Sequence, residues 1–437
     1  MWPIARLDDL IGTARPQHPA GAPVIGLPVI GLTVIGLPVI GLPVIGLPVI
    51  AIFSHWPAQR TSMRTLYLHI GTPKTGTTAL QWFFARNAVW LASRGLDYPD
   101  IGRVGDCHHR IGASIYPEAE RPYYIRYADT ETLARYGRRL AGLDGDVLIS
   151  SELLWHGFVA QLLRRAWGDL DVRVIAYVRP QDHYIASRYN QEVKSLYAGS
   201  LADYLSEKVH ILDYRRAFLE AWANEWGQDR IIVRPYERDQ FHRGSIIDDF
   251  LHHAIGWSVS AACELPSDDL NPGLSPAVLR YKLAVNRLPL TDQAKCDLGA
   301  VLVGYPLRRA GAAGPDPEAP AGGVAPMVRE EIPVQIPGQI PDQIRDQIRA
   351  SNQWIARTFL GRDHGQLFRA EPFASAQAKL PARDEDASRA ALTPIADYLA
   401  QQAPALYAEL CHACEVALDA RPGRARDAAR LLHEVAC

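Results

Sequence analysis

Four short apolar runs, rich in β-branched and aromatic residues, punctuate the middle of the chain. The first, TLYLHI at 65–70, stops at Gly71. The second, at 147–149, runs into Ser150, Ser151 and Glu152. The third, VRVIAYV at 172–178, ends on Arg179, and the fourth, at 231–233, leads into RPYERD. Runs of this kind, bounded by Gly or polar residues, predict buried strands. Helical periodicity lies between them. It covers about 76–92, with Leu80, Phe83, Phe84 and Leu91 on one side, then the stretch from Arg179 through about Lys194, then 245–255. Strands alternating with helices predict a parallel sheet with right-handed crossovers. The expected fold is α/β, a central parallel sheet flanked by helices, with a helical C-terminal extension. Ligands of such sheets sit beyond the carboxyl ends of the strands, and three polar clusters fall there.

Two segments depart from this pattern. Residues 21–50 are six near-identical pentapeptides (GAPVI, GLPVI, GLTVI, then GLPVI three times). With Ala51, Ile52 and Phe53 they make a 33-residue uncharged stretch that a hydropathy window would mark as a membrane span. Pro at 23, 28, 38, 43 and 48 argues against one. Each Pro removes an amide donor and costs about 3 kcal/mol inside a helix. A spanning helix must satisfy its own backbone, so membrane anchoring by 21–53 is the weaker reading. Twenty mixed residues, Asp8 and Asp9 among them, precede the repeat, which is not the pattern of a signal peptide. The perfect period points to an expanded tandem repeat, and Met63 is an alternative start.

The second segment, 305–349, begins rich in Pro, Gly and Ala, then places Gln335, Gln339, Gln343 and Gln347 each before an Ile. Its Pro-bearing units cannot be helical, whereas its last, DQIRDQIRASNQ, can. The chain divides on these grounds into a repeat-bearing extension at 1–62, expected to be disordered, and a core at 63–304. A low-complexity insertion at 305–349, a closing helix at 350–370 and a helical tail at 371–437 follow.

Composition narrows the function classes. The 437 residues are 48% apolar and 22% charged, which is globular. A balance of 46 basic and 48 acidic residues argues against a nucleic-acid binder or a polybasic membrane protein. Six Cys in a chain this long are no disulfide scaffold. Cys411 and Cys414 form a CxxC without a second pair, so they read as incidental helix thiols and no metal is expected. A cytoplasmic protein is the corresponding expectation. Of the basic residues 40 are Arg and only 6 are Lys, which makes each Lys worth placing.

One Lys lies in GTPKTGTT at 71–78, between the first strand and its helix. The glycines permit a tight turn and a close ligand approach. Free amides at a helix start attract anions, Lys74 adds a point charge, and Thr75, Thr77 and Thr78 add hydroxyls. The spacing departs from GxxxxGK[ST], in which Lys follows the second Gly. Here Lys74 precedes Gly76 by two positions.

PKTGTT after a strand resembles the 5′-phosphosulfate loop of sulfotransferases that use PAPS (3′-phosphoadenylyl sulfate). A strand ending in Arg179, with Ser187 eight residues later in the next helix, resembles the second signature of that family. SRYNQEVK, RIIVRPYERD at 230–239 and SNQWIARTFLG at 351–361 are similar to further segments of its bacterial members. The resemblance covers 63 to about 370 and implies a P-loop-like three-layer fold. It implies in-line transfer of a sulfuryl group from PAPS, without a metal, to a hydroxyl or amine of a glycan, lipid or small metabolite. Nucleic acid is not an expected partner. By the same resemblance Lys74 would bind the 5′-phosphate and stabilise the leaving oxygen. Thr75, Gly76, Thr77 and Thr78 would cradle that phosphate. Arg179 and Ser187 would hold the 3′-phosphate, for which an Arg fork is suited.

A base must accept the acceptor's proton. Glu152, in SSE at a strand end, is one candidate. The pair His108 and His109 in GDCHHR is the other, and His109 is preferred of the two. Gln191 and Lys194, one turn apart on the helix after Arg179, are candidate substrate contacts. His69, inside the first strand, reads as a core residue. Tyr123, Tyr124, Trp155 and Tyr197 are aromatic candidates for the acceptor pocket, with core packing the plainer role. Two rival functions remain: a P-loop kinase or NTPase, and a non-catalytic nucleotide-binding protein.

Overall fold

Each apolar run is a strand: Thr65–Gly71 (β1), Asp146–Ser150 (β3), Asp171–Val178 (β4) and Ile231–Pro235 (β5), with a two-residue edge strand, Leu96–Asp97 (β2), between the first and second. These come from a computed structural model that describes residues 64–121, 125, 128–266, 273–305, 340–373 and 385–436. The repeat at 21–53, Met63, Tyr123, Tyr124 and most of the 305–349 insertion lie outside the described residues. All strands run parallel in the order β2-β3-β1-β4-β5.

Strand residues alternate between the two faces. Leu66, Leu68, Ile70, Val147, Ile149, Val174, Ala176, Val178 and Val233 enter one apolar cluster. Tyr67, Leu148, Ile175 and Tyr177 enter another on the opposite face. Among helices of eight or more residues, Thr77–Arg86 (α1) covers the second face through Leu80, Phe83 and Phe84. The first face is covered by Leu133–Ala141 (α2), Gly157–Trp167 (α3), Gln181–Ser195 (α4) and Leu201–Lys208 (α5). The result is a three-layer α/β arrangement. Leu68, Ile149 and Val174 are fully buried. Each such side chain contributes about 1.5–3 kcal/mol, so the centre of the sheet is where truncation costs most.

The helix expected over 76–92 is two helices. α1 stops at Arg86 and a second, Ala88–Ala92, follows Asn87. The Asn87 amide donates to the carbonyls of Phe83 and Glu264, and its Oδ1 accepts from the Glu264 amide. This distant partner holds Asn87 outside helical geometry, a tertiary constraint that local periodicity does not carry.

Pro276–Asn286 (α6) and Asp292–Val303 (α7) place Val278, Tyr281, Val285, Leu298 and Leu302 in a third apolar cluster. Its other members come from the far end of the chain, on Glu385–Gln402, Pro404–Leu418 and Arg424–Ala436. Cys414 is buried in that cluster. The cluster docks on the C-terminal end of α4. Lys282 Nζ donates to Ser195 O at 2.8 Å, Asn286 to Val193 O and Tyr197 O, and Arg287 to Ala198 O. These bonds satisfy carbonyls that a helix end leaves without partners.

The closing helix spans Asp342–Leu360, so it begins inside the stretch assigned to the insertion and ends ten residues before 370. Ile348, Ile355 and Ala356 bury against the first sheet face, which extends the helix back through DQIRDQIR. Gly361, at φ 61°, ends it. Among the described residues no helix is long and apolar enough to cross a membrane.

Candidate functional site

The polar ends of β1, β3 and β4 meet around the loop that joins β1 to α1. Gly76 sits at φ 77°, which glycine alone adopts without strain, and a Cβ there would stand 2.9 Å from the Tyr236 ring. The backbone can therefore lie against Tyr236 and turn into α1. No side chain caps the first turn of α1, and no acidic residue occupies it. Its amides are the kind of donors that bind an anion. Lys74 is half-buried, and its Nζ lies 3.4 Å from Gln191 Oε1 on α4.

The loop hydroxyls divide their work. Thr75 is buried and donates to Thr72 O at 2.5 Å, so it braces the turn. Thr77 donates to Glu152 Oε1 at 3.3 Å, and Thr78 is exposed.

On the β3 side, Glu152 follows the strand by two residues. Its Oε2 accepts from Gln81 of α1 at 2.8 Å and lies 3.9 Å from His109 Nε2. Its side chain is one-fifth exposed. Burial alone would raise its pKa, but His109, the Gln81 hydrogen bond and His69 outweigh that and hold it below the ordinary carboxylate value. His109 Nδ1 lies 2.9 Å from Ser151 Oγ. Burial lowers the His109 pKa and Glu152 opposes that, with a net fall. At neutral pH the pair is an ionised carboxylate beside a neutral imidazole, both of them unprotonated.

The adjacent His108 does different work. Its Nδ1 accepts from the Ser150 amide and its Nε2 lies 2.8 Å from Pro99 O. Both ring nitrogens are thus spent on backbone and the ring is fully buried, so His108, a candidate for the base and for substrate contact by sequence, presents no nitrogen to a ligand. His69 is also fully buried, with Nδ1 2.8 Å from Ser150 Oγ. It is the core residue expected, though among the described residues its Nε2 has no hydrogen-bond partner, so only one of its nitrogens is satisfied.

On the β4 side, Pro180 cannot continue the ladder, and Arg179 turns out at the strand end. Its NH1 donates to Lys74 O at 3.2 Å, and its guanidinium lies 5.5 Å from the centre of the Tyr236 ring. The Arg179 carbonyl accepts from Tyr214 at 2.7 Å. Lys74, Arg179 and Gln191 are thus gathered on one side of the loop, and Thr77, Gln81, Glu152 and His109 on the other. Ser187 and Lys194 are half-buried on α4.

Gln81 and Tyr236 are the residues that sequence reasoning missed. Gln81 stands one helical turn after Thr77, so both reach the same carboxylate. That i, i+4 relation was a usable signal. Tyr236 directly follows β5, at the rim where ligands of such sheets collect. Among the described residues no cluster of His, Cys, Asp and Glu is arranged to hold a metal ion.

No protein-family model matches the chain, and no solved structure matches it. Among curated proteins, it is similar to an uncharacterized protein of Archaeoglobus fulgidus (strain ATCC 49558 / DSM 4304 / JCM 9628 / NBRC 100126 / VC-16). The two are 32% identical over 131 residues, 30% of this chain. The match spans 35% of that relative, about a third of its length.

Proposed function

We propose that the chain is a sulfotransferase that moves a sulfuryl group from PAPS to an acceptor hydroxyl or amine. One observation carries this reading: the loop that bears Lys74 holds Arg179 through the Lys74 carbonyl beside an uncapped helix start, with the ionised Glu152 across the same loop. The uncapped amides of α1, Lys74 and the exposed Thr78 fit a 5′-phosphosulfate. The Arg179 guanidinium, held by the Lys74 carbonyl and the Tyr236 ring, fits a second phosphate, which Ser187, eight residues later on α4, would share. PAPS would supply an activated sulfuryl group, less charged than a γ-phosphoryl, so the reading assigns no metal.

The protein's own residues then do three things. Lys74 and the first-turn amides stabilise negative charge growing on the leaving phosphate oxygen. Arg179 fixes the nucleotide's position, and fixed position removes entropy from the barrier. Glu152 takes the acceptor proton, with Gln81 and Thr77 orienting its two oxygens and the neutral His109 beside it. Gln191, in contact with Lys74, and Lys194 are the acceptor-side residues of α4. The acceptor class at this level is a glycan, a lipid or a small metabolite.

The competing kinase or NTPase reading needs a Lys after the second Gly of the loop, where this chain has Thr77. Calorimetry separates the two. PAP (adenosine 3′,5′-bisphosphate) should bind the full chain in EDTA, and ATP with Mg2+ should bind far more weakly. Tight Mg2+-dependent ATP binding without PAP binding would reverse the assignment, and failure of both would leave a non-catalytic protein.

A further inference from the structure

The proposed reaction makes no use of the repeat at 21–50, and one face of the described structure has the shape and chemistry to receive it. Val89, in the short helix Ala88–Ala92, is 86% exposed, the most exposed large apolar side chain among the described residues. Leu265, 53% exposed, belongs to the same face. It follows Glu264, whose amide and carbonyl both pair with the Asn87 side chain, two residues before Val89. Trp90 follows Val89 and meets Trp257 edge-on, with 84° between the rings and 6.0 Å between their centres. Both indoles are half-buried. Arg94 lies over the pair, 4.9 Å from the Trp90 centre and 5.6 Å from that of Trp257, and fixes the corner they make. Scattered exposed apolar residues are ordinary, whereas two of them around a pinned Trp pair make a patch. Trp and Arg are also the residues that dominate the centres of docking surfaces.

The described chain begins at the edge of this patch. α1 starts at the rim that carries Lys74 and runs back beside the sheet, so Ala88–Ala92 lies at the opposite end, where β1 begins. Two hydrogen bonds make the link direct. Asp146 Oδ1 accepts from the Thr65 amide at 2.8 Å, and the Asp146 amide donates at 3.0 Å to the carbonyl of Gly95, the residue after Arg94. The segment that precedes Arg64 therefore leaves beside the Trp pair. Fourteen residues separate Ile50 from Arg64, a reach of up to about 45 Å when extended. The repeat also suits the patch. Its six units hold only Gly, Ala, Pro, Val, Ile, Leu and one Thr, so no charge draws Arg94 off its two rings. Five of the six carry Pro. A Pro-rich segment has less backbone freedom to lose on docking, which is why aromatic-lined surfaces take such segments.

We infer that residues 21–50 of the chain dock on this face, with Pro against the Trp90–Trp257 corner and the Val and Ile of the same unit over Val89 and Leu265. Near-identical units offer the same surface in several registers, and the short connection to Arg64 keeps their effective concentration high. The contact lies at the end of the sheet away from Lys74. It leaves the loop site open and is independent of the sulfuryl-transfer reading.

Photocrosslinking of the full chain tests this, with p-benzoylphenylalanine in place of Val89. Irradiation should join the tryptic peptide 87–94 to the one that holds 21–50, in a product of monomer mass. A product of dimer mass would show that a second copy covers the face. That result, or attachment only outside 21–50, or no product, overturns the docking. Thermolysin, which cuts before Ile, gives a second measure. Val89→Asp, at an exposed position, should speed cleavage within 21–50 about tenfold, because cleavage follows the undocked population and burial of apolar side chains keeps that population small. The Tm of the parent should be retained. Val416→Asp, at a half-exposed position on Pro404–Leu418, should leave the cleavage rate unchanged. Equal rates in the parent and Val89→Asp, or the same rise in Val416→Asp, would also overturn it.

Discussion

Gln81 and Glu152 are joined by a 2.8 Å hydrogen bond that spans from α1 to the end of β3. The same Gln81 amide donates to Ser150 Oγ at 3.2 Å, and Ser150 Oγ meets His69 Nδ1. A buried polar chain thus runs from the core of β1 to the proton acceptor, and it fixes the carboxylate's orientation and its charge.

Replacing Gln81 checks that relationship. A base works above its pKa and fails below it. The Gln81 hydrogen bond is among the causes that lower the Glu152 pKa, against burial, which raises it. Gln81→Leu therefore moves the acid limb of the kcat/KM profile to higher pH, with the alkaline side little changed. A folded Gln81→Leu protein whose acid limb stays in place would remove Glu152 as the base.

Lys74 supplies the loop's own positive charge ahead of the α1 start. Loss of one transition-state donor costs about 100- to 1,000-fold in kcat. Lys74→Ala is expected in that range by steady-state sulfuryl transfer, and a rate within a few-fold of the parent would mean that the loop does another job.

Acid sensitivity follows from the buried imidazoles. Burial lowers the His69 pKa to about 4 and the His108 pKa to about 3. In the unfolded chain both take up protons near pH 6.5. Below that pH the unfolded state binds more protons, so stability falls as pH falls. The loss from His69 is complete near pH 4 and that from His108 near pH 3. Thermal melts should show Tm dropping from pH 7 towards pH 4.5, with part of the slope removed by His69→Leu. A flat Tm over that span contradicts two neutral buried histidines.

The strand-end rim was readable from the chain because each strand stops on residues that cannot continue a buried run: Gly71, Ser150 to Glu152, and Arg179 before Pro180. Lys74 stood out by the scarcity of Lys. Other parts had no such mark. β2 has only two residues, too few for a period, and it exists through pairing with β3. His108 and His109 are adjacent, and sequence carries no sign that Pro99 and Ser150 turn one of them inward. Gln81 looks like any polar helix residue until β3 is brought alongside. α6 and α7 each bury an apolar face under helices beyond 385, a pairing that no local pattern carries, since a helix face does not name its partner.

The junction of that helical cluster with α4 makes its own demand. Asn286 is buried and donates to Val193 O at 2.8 Å and Tyr197 O at 3.0 Å. A carbonyl stripped of its partner in a buried setting costs about 1–3 kcal/mol. Asn286→Ala should lower the urea midpoint by an amount equivalent to about 2–4 kcal/mol with m unchanged. A loss under about 0.5 kcal/mol, the size of an ordinary surface change, shows that the junction is loose.

The central claim is a site for a nucleotide with a 3′-phosphate, and the most direct measurement is a calorimetric comparison of PAP with adenosine 5′-phosphate in EDTA. One charge-assisted hydrogen bond to Arg179 is worth about 1.5–3 kcal/mol, or about 10- to 150-fold in affinity. PAP should bind the parent protein tighter by at least that factor, and Arg179→Ala should bring the two ligands close together. Equal affinities in the parent, or equal losses for both ligands in Arg179→Ala, would contradict the account.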